Sequence, residues 1–373
     1  MLYWLLFSIL LIFTLIEIKE KKISSKIFKY SWIVLVLMVT LRQGQGTDYY
    51  NYLEIYKEVT LYSSQSFWLL FVQSDPGFRI ICFFAIALGI PYEMFASLFS
   101  LWTMILIYPF FRIHCRKSVI ALFIFYASSF YLIYMFSAIR QGFVIAVFLG
   151  KLYPLLLQNK RKSYYLLTIL LSSIHLSSLV LLIVPYVYSR RIGRNALLLF
   201  SSIGVIFMFV NPFEIVLSNL GFNRLDRYIV DEISSTKYLA ILLRIIILIP
   251  LFLLPKSIYR KYKELNIMRN FLFISFMIYA IFSFSELTAS RLGIYFKVFE
   301  GCFLALIIHQ TYLKKISYQI CYCYILLTFL LFAKDINAFI DQGNYKNCTM
   351  WTYPYLSIFD NENTILNYRS FIQ

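Results

Sequence analysis

Ionisable side chains inside long apolar runs are where this chain has the means to do chemistry. Arg140, His175, Arg244, Lys297 and Glu300 lie within such runs, and Arg42, Glu286 and Arg291 lie at their ends. A charge near the centre of a bilayer costs roughly 2.5–3.5 kcal/mol on insertion scales, so it usually faces a cavity and a ligand. Arginine suits phosphate, because its planar fork donates two parallel hydrogen bonds. Cations gathered at one membrane face therefore point to an anionic group bound there. Asp48 and His175 are the candidate bases for a hydroxyl nucleophile. Each residue also has an ordinary alternative. Arg42 and Arg291 can snorkel to the interface. Lys297 and Glu300, three apart, can neutralise each other. Arg140 can be an interface residue, His175 a core histidine and Asp48 a loop acid.

These residues need elements to hold them, and composition says which kind. The chain has 373 residues, 61% hydrophobic, 20% aromatic and only 14% charged. A soluble fold is closer to half apolar and a quarter charged, so too few charges are present to cover a soluble surface. An all-α polytopic membrane protein is expected, forming a single integral membrane domain over 1–373. The net charge is +17, from 35 basic and 18 acidic side chains. The bases fall between apolar runs, so topology rather than nucleic acid accounts for them. The cysteines at 82, 115, 302, 321, 323 and 348 show no zinc or disulfide spacing.

About 20 apolar residues are needed to cross the hydrocarbon core as a helix. Candidate spans lie near 2–18, 30–41, 92–110, 118–135, 138–157, 195–212, 237–254, 267–285, 291–310 and 317–333. Residues 2–18 read as a retained first helix rather than a cleaved signal. Residues 77–90 are short and end in Gly89-Ile90-Pro91, and residues 164–187 are broken by Ser172-Ser173-Ile174-His175. Six basic clusters, from Lys19–Lys29 to Lys314/Lys315, all face the cytoplasm only if these two segments do not cross. Ten crossings with two re-entrant or partly inserted segments are therefore expected. Segments 42–76, 211–236 and the tail 334–373 then lie outside. Arg42, Arg140 and Arg291 fall at the outer boundary in this topology. Arg244 and Lys297 fall about 10 Å below it by the helical rise.

Four short runs make the pattern more specific. They are Arg42-Gln43-Gly44-Gln45-Gly46-Thr47-Asp48-Tyr49-Tyr50-Asn51-Tyr52, Asp75-Pro76-Gly77-Phe78, Ala138-Ile139-Arg140-Gln141-Gly142 and Ser173-Ile174-His175-Leu176-Ser177-Ser178. In this order they resemble the EpsG-like branch of the Wzy-type polymerases of bacterial O antigen, capsule and exopolysaccharide. The aromatic run Trp351-Thr352-Tyr353-Pro354-Tyr355 is similar to the end of that family. Gly142 is a departure, standing where the family more often carries a Leu-Ala pattern.

The resemblance implies a GT-C-like membrane glycosyltransferase in the bacterial inner membrane, with its site facing the exterior. A growing glycan on undecaprenyl pyrophosphate would pass to the non-reducing-end sugar of a new lipid-linked repeat unit, with inversion. No Asp-x-Asp metal signature occurs, and neither a metal nor a cofactor is expected. Arg42, Arg140, Arg244, Arg291 and Lys297 would hold the diphosphate, with Gln141 beside Arg140. Tyr49 and Tyr52 would offer sugar-stacking faces. Asp48 is preferred as base, because it lies in the outer loop, with His175 as donor or orienting group. Asp75 reads as shaping the turn into 77–90. A chain-length regulator and a flippase are the implied partners, besides the bilayer and the lipid-linked oligosaccharide. A flippase of the same lipid, or a ligase of the finished glycan, would use the same cations. The flippase would need no base and would place cations through both leaflets.

Overall fold

The computed structural model describes residues 1–20, 25–65, 75–128, 130–210, 212, 245–246, 248–310 and 314–368. The expected outer loop 211–236 lies almost wholly outside these residues, as do Arg244 and half of 237–254. Among the described residues the regular structure is helical, with one isolated bridge between Arg42 and Ser357. The chain divides into two compact units, Met1–Leu179 with Ile325–Gln373, and Val180–Tyr324.

The first unit opens with α1 (Leu2–Glu20), α2 (Ser25–Thr40) and α3 (Tyr49–Gln65), followed by α4 (Pro76–Ala87) and α5 (Tyr92–Ile113). α6 (Val119–Ala127) is buried on every side and runs into a π-helical segment, Phe130–Ser137. The two pieces meet at a 65° bend. Ser128 causes part of it by returning its hydroxyl to the Ile124 carbonyl, a local bond that bends helices. α7 (Ile139–Leu157) carries a π-helical turn at Phe148–Leu152, and α8 (Arg161–Ser172) completes the set. α6 packs on α1 and α2, and α5 packs on α2 and α7.

α4 is a half-helix by construction. Pro76 sits in its first turn, where a missing N–H costs nothing. Gly89 (φ +69°) closes it, with Gly89 N–H on Ile86 O and Ile90 N–H on Ala85 O, the paired bonds of a left-handed helix stop. Its 12 residues reach only about 18 Å, too short for a hydrocarbon core of about 30 Å. α8 has the same length and ends where Ser172 and Ser173 return their hydroxyls to Ile169 and Leu170. A 3-10 segment, Leu176–Ile183, follows.

The second unit contains α9 (Arg194–Phe209), α10 (Lys256–Lys261), α11 (Lys263–Ile281), α12 (Glu286–Lys297) and α13 (Glu300–Gln310). α11 is its centre and packs on the other four, meeting α9 where Gly204 lies against Phe276. Asn266, Arg269 and Asn270 of α11 hold the carbonyls of Val187, Tyr188, Arg190 and Ile192. α14 (Lys314–Gln342) carries the chain back to the first unit, and α15 (Glu362–Tyr368) ends the described chain.

Among the described residues, six helices are long and apolar enough to cross a membrane, or seven if the bent pair at 119–137 is one span. The sequence pattern suggests ten crossings. The difference lies partly in α2 and α10's predecessor α9, which have 16 residues each, short of the length of about 20 that spans the core.

Candidate functional site

The loop between α2 and α3 is a rigid piece, held from three sides. Gln43 N–H bonds to Leu356 O and Ile358 N–H to Leu41 O, forming the Arg42–Ser357 bridge with the tail. Gln45 is wholly buried, accepting from the Tyr3 hydroxyl and donating to Pro354 O at 2.8 Å. Gly46 takes φ +107°, and a Cβ there would stand 2.5 Å from the Phe136 carbonyl oxygen. That close approach lets Thr47 Oγ1 and the Asp48 backbone N–H meet Ser137 Oγ.

Arg42 lies inside this piece. It is 3% exposed and donates to Val39 O at 2.6 Å, Ser100 Oγ at 2.8 Å and Phe136 O at 3.2 Å. Its guanidinium also lies over the Phe136 ring. These contacts tie the end of α2 to α5 and to the π-helical segment. They direct the side chain at protein acceptors.

Arg140 is placed differently. It stands in the first turn of α7, paired with the Asp75 carboxylate, and the two side chains remain 21% and 17% exposed. The guanidinium lies against two rings that pack on each other, Tyr52 at 5.1 Å and Phe78 at 5.6 Å. The Tyr52 hydroxyl is bonded to Arg140 as well, and burial pushes its pKa up against the pull of that cation. The Asp48 carboxylate, half-buried, acts through space on both groups. Tyr49 packs edge-on against Tyr92, and burial pushes its hydroxyl up to about 12.

Asp75 occupies the residue before α4 with φ 56° and ψ 56°, and its side chain makes no capping bond there. Gly77 then donates its N–H to Ser173 O at 2.8 Å, and a Cβ on it would stand 2.3 Å from Ser173 Oγ. This contact brings the turn that carries His175 against the turn that carries Asp75. Gly142 lies one turn into α7, where a Cβ would meet the Tyr134 carbonyl oxygen at 2.0 Å. A larger residue there would push α7 off the π-helical segment, which accounts for the glycine.

Three of the four runs thus meet around Arg140, and the fourth touches the Asp75 turn through the bond from Gly77 N–H to Ser173 O. Two helices, α4 and α7, begin at the two ends of the Arg140–Asp75 pair. Gln141, the next residue of α7, is 2% exposed. Ile139, Ser100, Thr103, Tyr134 and Met135 line one small void, so the first turn of α7 lies beside the third turn of α5. Arg140 is therefore about 12 Å along α5 from its Tyr92 end by helical rise.

Arg291 and Lys297 belong to the second unit. Arg291 is exposed on α12, whereas Lys297 is 5% exposed and Glu300 2%. The two flank the break at 298–299 between α12 and α13. Arg244 lies outside the described residues.

The EpsG family model matches residues 26–357, most of the chain and all four runs. The chain belongs to the EpsG family. No curated protein and no solved structure matches it. Membership places it with polysaccharide-polymerase-type membrane proteins. In this EpsG-family protein, sequence reasoning left two residues without a site role. One is Asp75, whose carboxylate the left-handed turn aims at Arg140. The other is Glu17, fully buried, which accepts from the Val119 and Ile120 N–H groups at 2.7 and 2.9 Å and so caps α6 from α1. For Asp75 the signal was present in the Asp-Pro-Gly-Phe run itself. For Glu17 no local pattern exists.

Proposed function

We propose that this protein polymerises a surface glycan, passing a growing chain from undecaprenyl pyrophosphate to the non-reducing-end sugar of a lipid-linked repeat unit. The convergence of three runs on Arg140, with the fourth against the Asp75 turn, is the observation that carries this reading. The acceptor hydroxyl oxygen attacks the anomeric carbon and its proton passes to a carboxylate. The bond from that carbon to the diphosphate oxygen breaks, and the electron pair leaves with the diphosphate. Negative charge grows on the leaving group, so a cation fixed before the reaction stabilises it most. Arg140 is the candidate for that task, held against two rings and aided by the amide ends of α4 and α7. Asp48 is the candidate base.

Arg140→Lys tests the reading. Lysine keeps the charge but not the fork. Purified protein with lipid-linked repeat units should lose roughly a hundredfold in polymerisation rate, the scale of one oxyanion donor. Full-length polymer from the lysine variant at the normal rate would overturn it.

A further inference from the structure

We infer that Asp75 is a positioning residue that holds Arg140 in the empty site and takes it back as the diphosphate leaves. This rests on the assignment of Arg140 to the diphosphate above.

Three observations carry it. First, the pair is exchangeable. Arg42 is 3% exposed and directed at protein oxygens on several sides. Arg140 keeps one-fifth of its side chain exposed, and its Nε finds no partner among the described residues. Second, Asp75 stands where a helix-capping residue stands, yet makes no cap bond. Its left-handed backbone turns the carboxylate off α4 and onto Arg140. A freed carboxylate there is still at the amino end of a helix, where the dipole favours it. Third, Tyr52 and Phe78 pack on each other and both rings lie against the guanidinium, which the Tyr52 hydroxyl also bonds. Arg140 therefore keeps its place when the carboxylate swings away, and a diphosphate oxygen can take the same donors.

An internal competitor has a measurable signature. A pair closed about nine-tenths of the time weakens every anion that needs Arg140 about tenfold. The factor is the same for all such anions, because each displaces the same carboxylate. A standing repulsion behaves otherwise, since it penalises a diphosphate more than a monophosphate.

The test uses farnesyl diphosphate and farnesyl monophosphate binding to the purified full chain, with polymerisation kinetics beside it. Asparagine tolerates the left-handed backbone, so Asp75→Asn preserves the turn. It should bind both probes tighter by one common factor, about tenfold. KM should fall and kcat should fall with it, because product leaves slowly. Asp75→Glu should restore weak binding and turnover. Asp75→Ser, also suited to the helix start, repeats the measurement should the asparagine variant not assemble. Unchanged or weaker binding overturns the inference, as does a larger gain for the diphosphate than for the monophosphate. So does a fall in kcat/KM without a fall in KM, which marks a merely structural residue. Arg140→Ala separates the two readings. If it binds both probes as the parent does, the assignment of Arg140 itself fails.

Discussion

Around Arg140 the protein sets two carboxylates at different removes, and their positions divide the work. Asp75 is in direct contact with the cation. Asp48 is fixed by its backbone to Ser137 and leaves its side chain half-buried beside Tyr52. A base must reach the hydroxyl it serves and must not be neutralised by the group that binds the leaving anion. Asp48 meets both conditions better than Asp75. Asp48→Asn should therefore abolish polymer formation by purified protein while leaving farnesyl diphosphate binding within about twofold, since the amide keeps the shape. Normal turnover by this variant would move the base elsewhere, with His175 the next to test. His175→Gln, which keeps a donor, should then be compared with His175→Ala. Arg42 falls in the same sequence run as Asp48 but supports the loop from within. Its sequence context is that of a binding arginine. Only the depth of its burial and its contacts with Ser100 and Phe136 assign it to the scaffold.

At the scale of elements, the site is made by helices that stop early or bend. α4 is stopped by Gly89, α8 by Ser172 and Ser173, and the path from α6 into α7 turns 65° through the π-helical segment. π-helical turns cost hydrogen-bond geometry and are frequent at functional sites. Gly46→Ala tests whether these stops are as tightly fitted as the distances say. Its Cβ would meet the Phe136 carbonyl, and positive φ adds strain. A loss of about 1–3 kcal/mol is expected for such overpacking, read as a lower melting temperature in detergent. An unshifted melt would show the loop to be loose. The apolar runs, the broken 164–187 segment and the shortness of 77–90 were legible in the sequence, because period, serines and Gly-Pro punctuation are local. The partners were not. Glu17 meets Val119 and Ile120 about a hundred residues on, and Gln45 meets Pro354 across about three hundred. Nothing in a window of sequence records such pairings. The tail is the plainest case. It reads as an outer extension, yet Tyr353 and Tyr355 stack around Tyr3 while the Tyr355 hydroxyl bonds Met38 O.

Across the first unit, the same contacts decide which ends of the helices share a side. α1 begins beside Tyr353 and ends with Glu17 at the start of α6. α6 and its π-helical continuation return to Ser137, next to Thr47 and Asp48. α7 leaves from Arg140, and α8 comes back to Ser173, bonded to Gly77 beside Asp75. Thr47, Arg140 and the tail thus lie towards one end. Lys19, Arg112, Arg116, Lys117 and Lys160–Lys162 lie towards the other, at the far ends of α1, α5 and α7. The positive-inside rule assigns that second end to the cytoplasm. α8 reaches about 18 Å from that end by helical rise, so on this orientation Ser173 and His175 are expected at mid-membrane depth rather than at the far surface. That agrees with Arg140 being set back along α5 from Tyr92. Single cysteines at positions 47, 162 and 347, in a chain freed of its native cysteines, test the arrangement with a membrane-impermeant maleimide on intact cells. Positions 47 and 347 should react together from outside, and 162 only after the cells are permeabilised. Reaction at 162 alone would reverse the orientation and place the Arg140 site on the cytoplasmic side. Reaction at all three would mean that α7 does not carry the chain across the membrane.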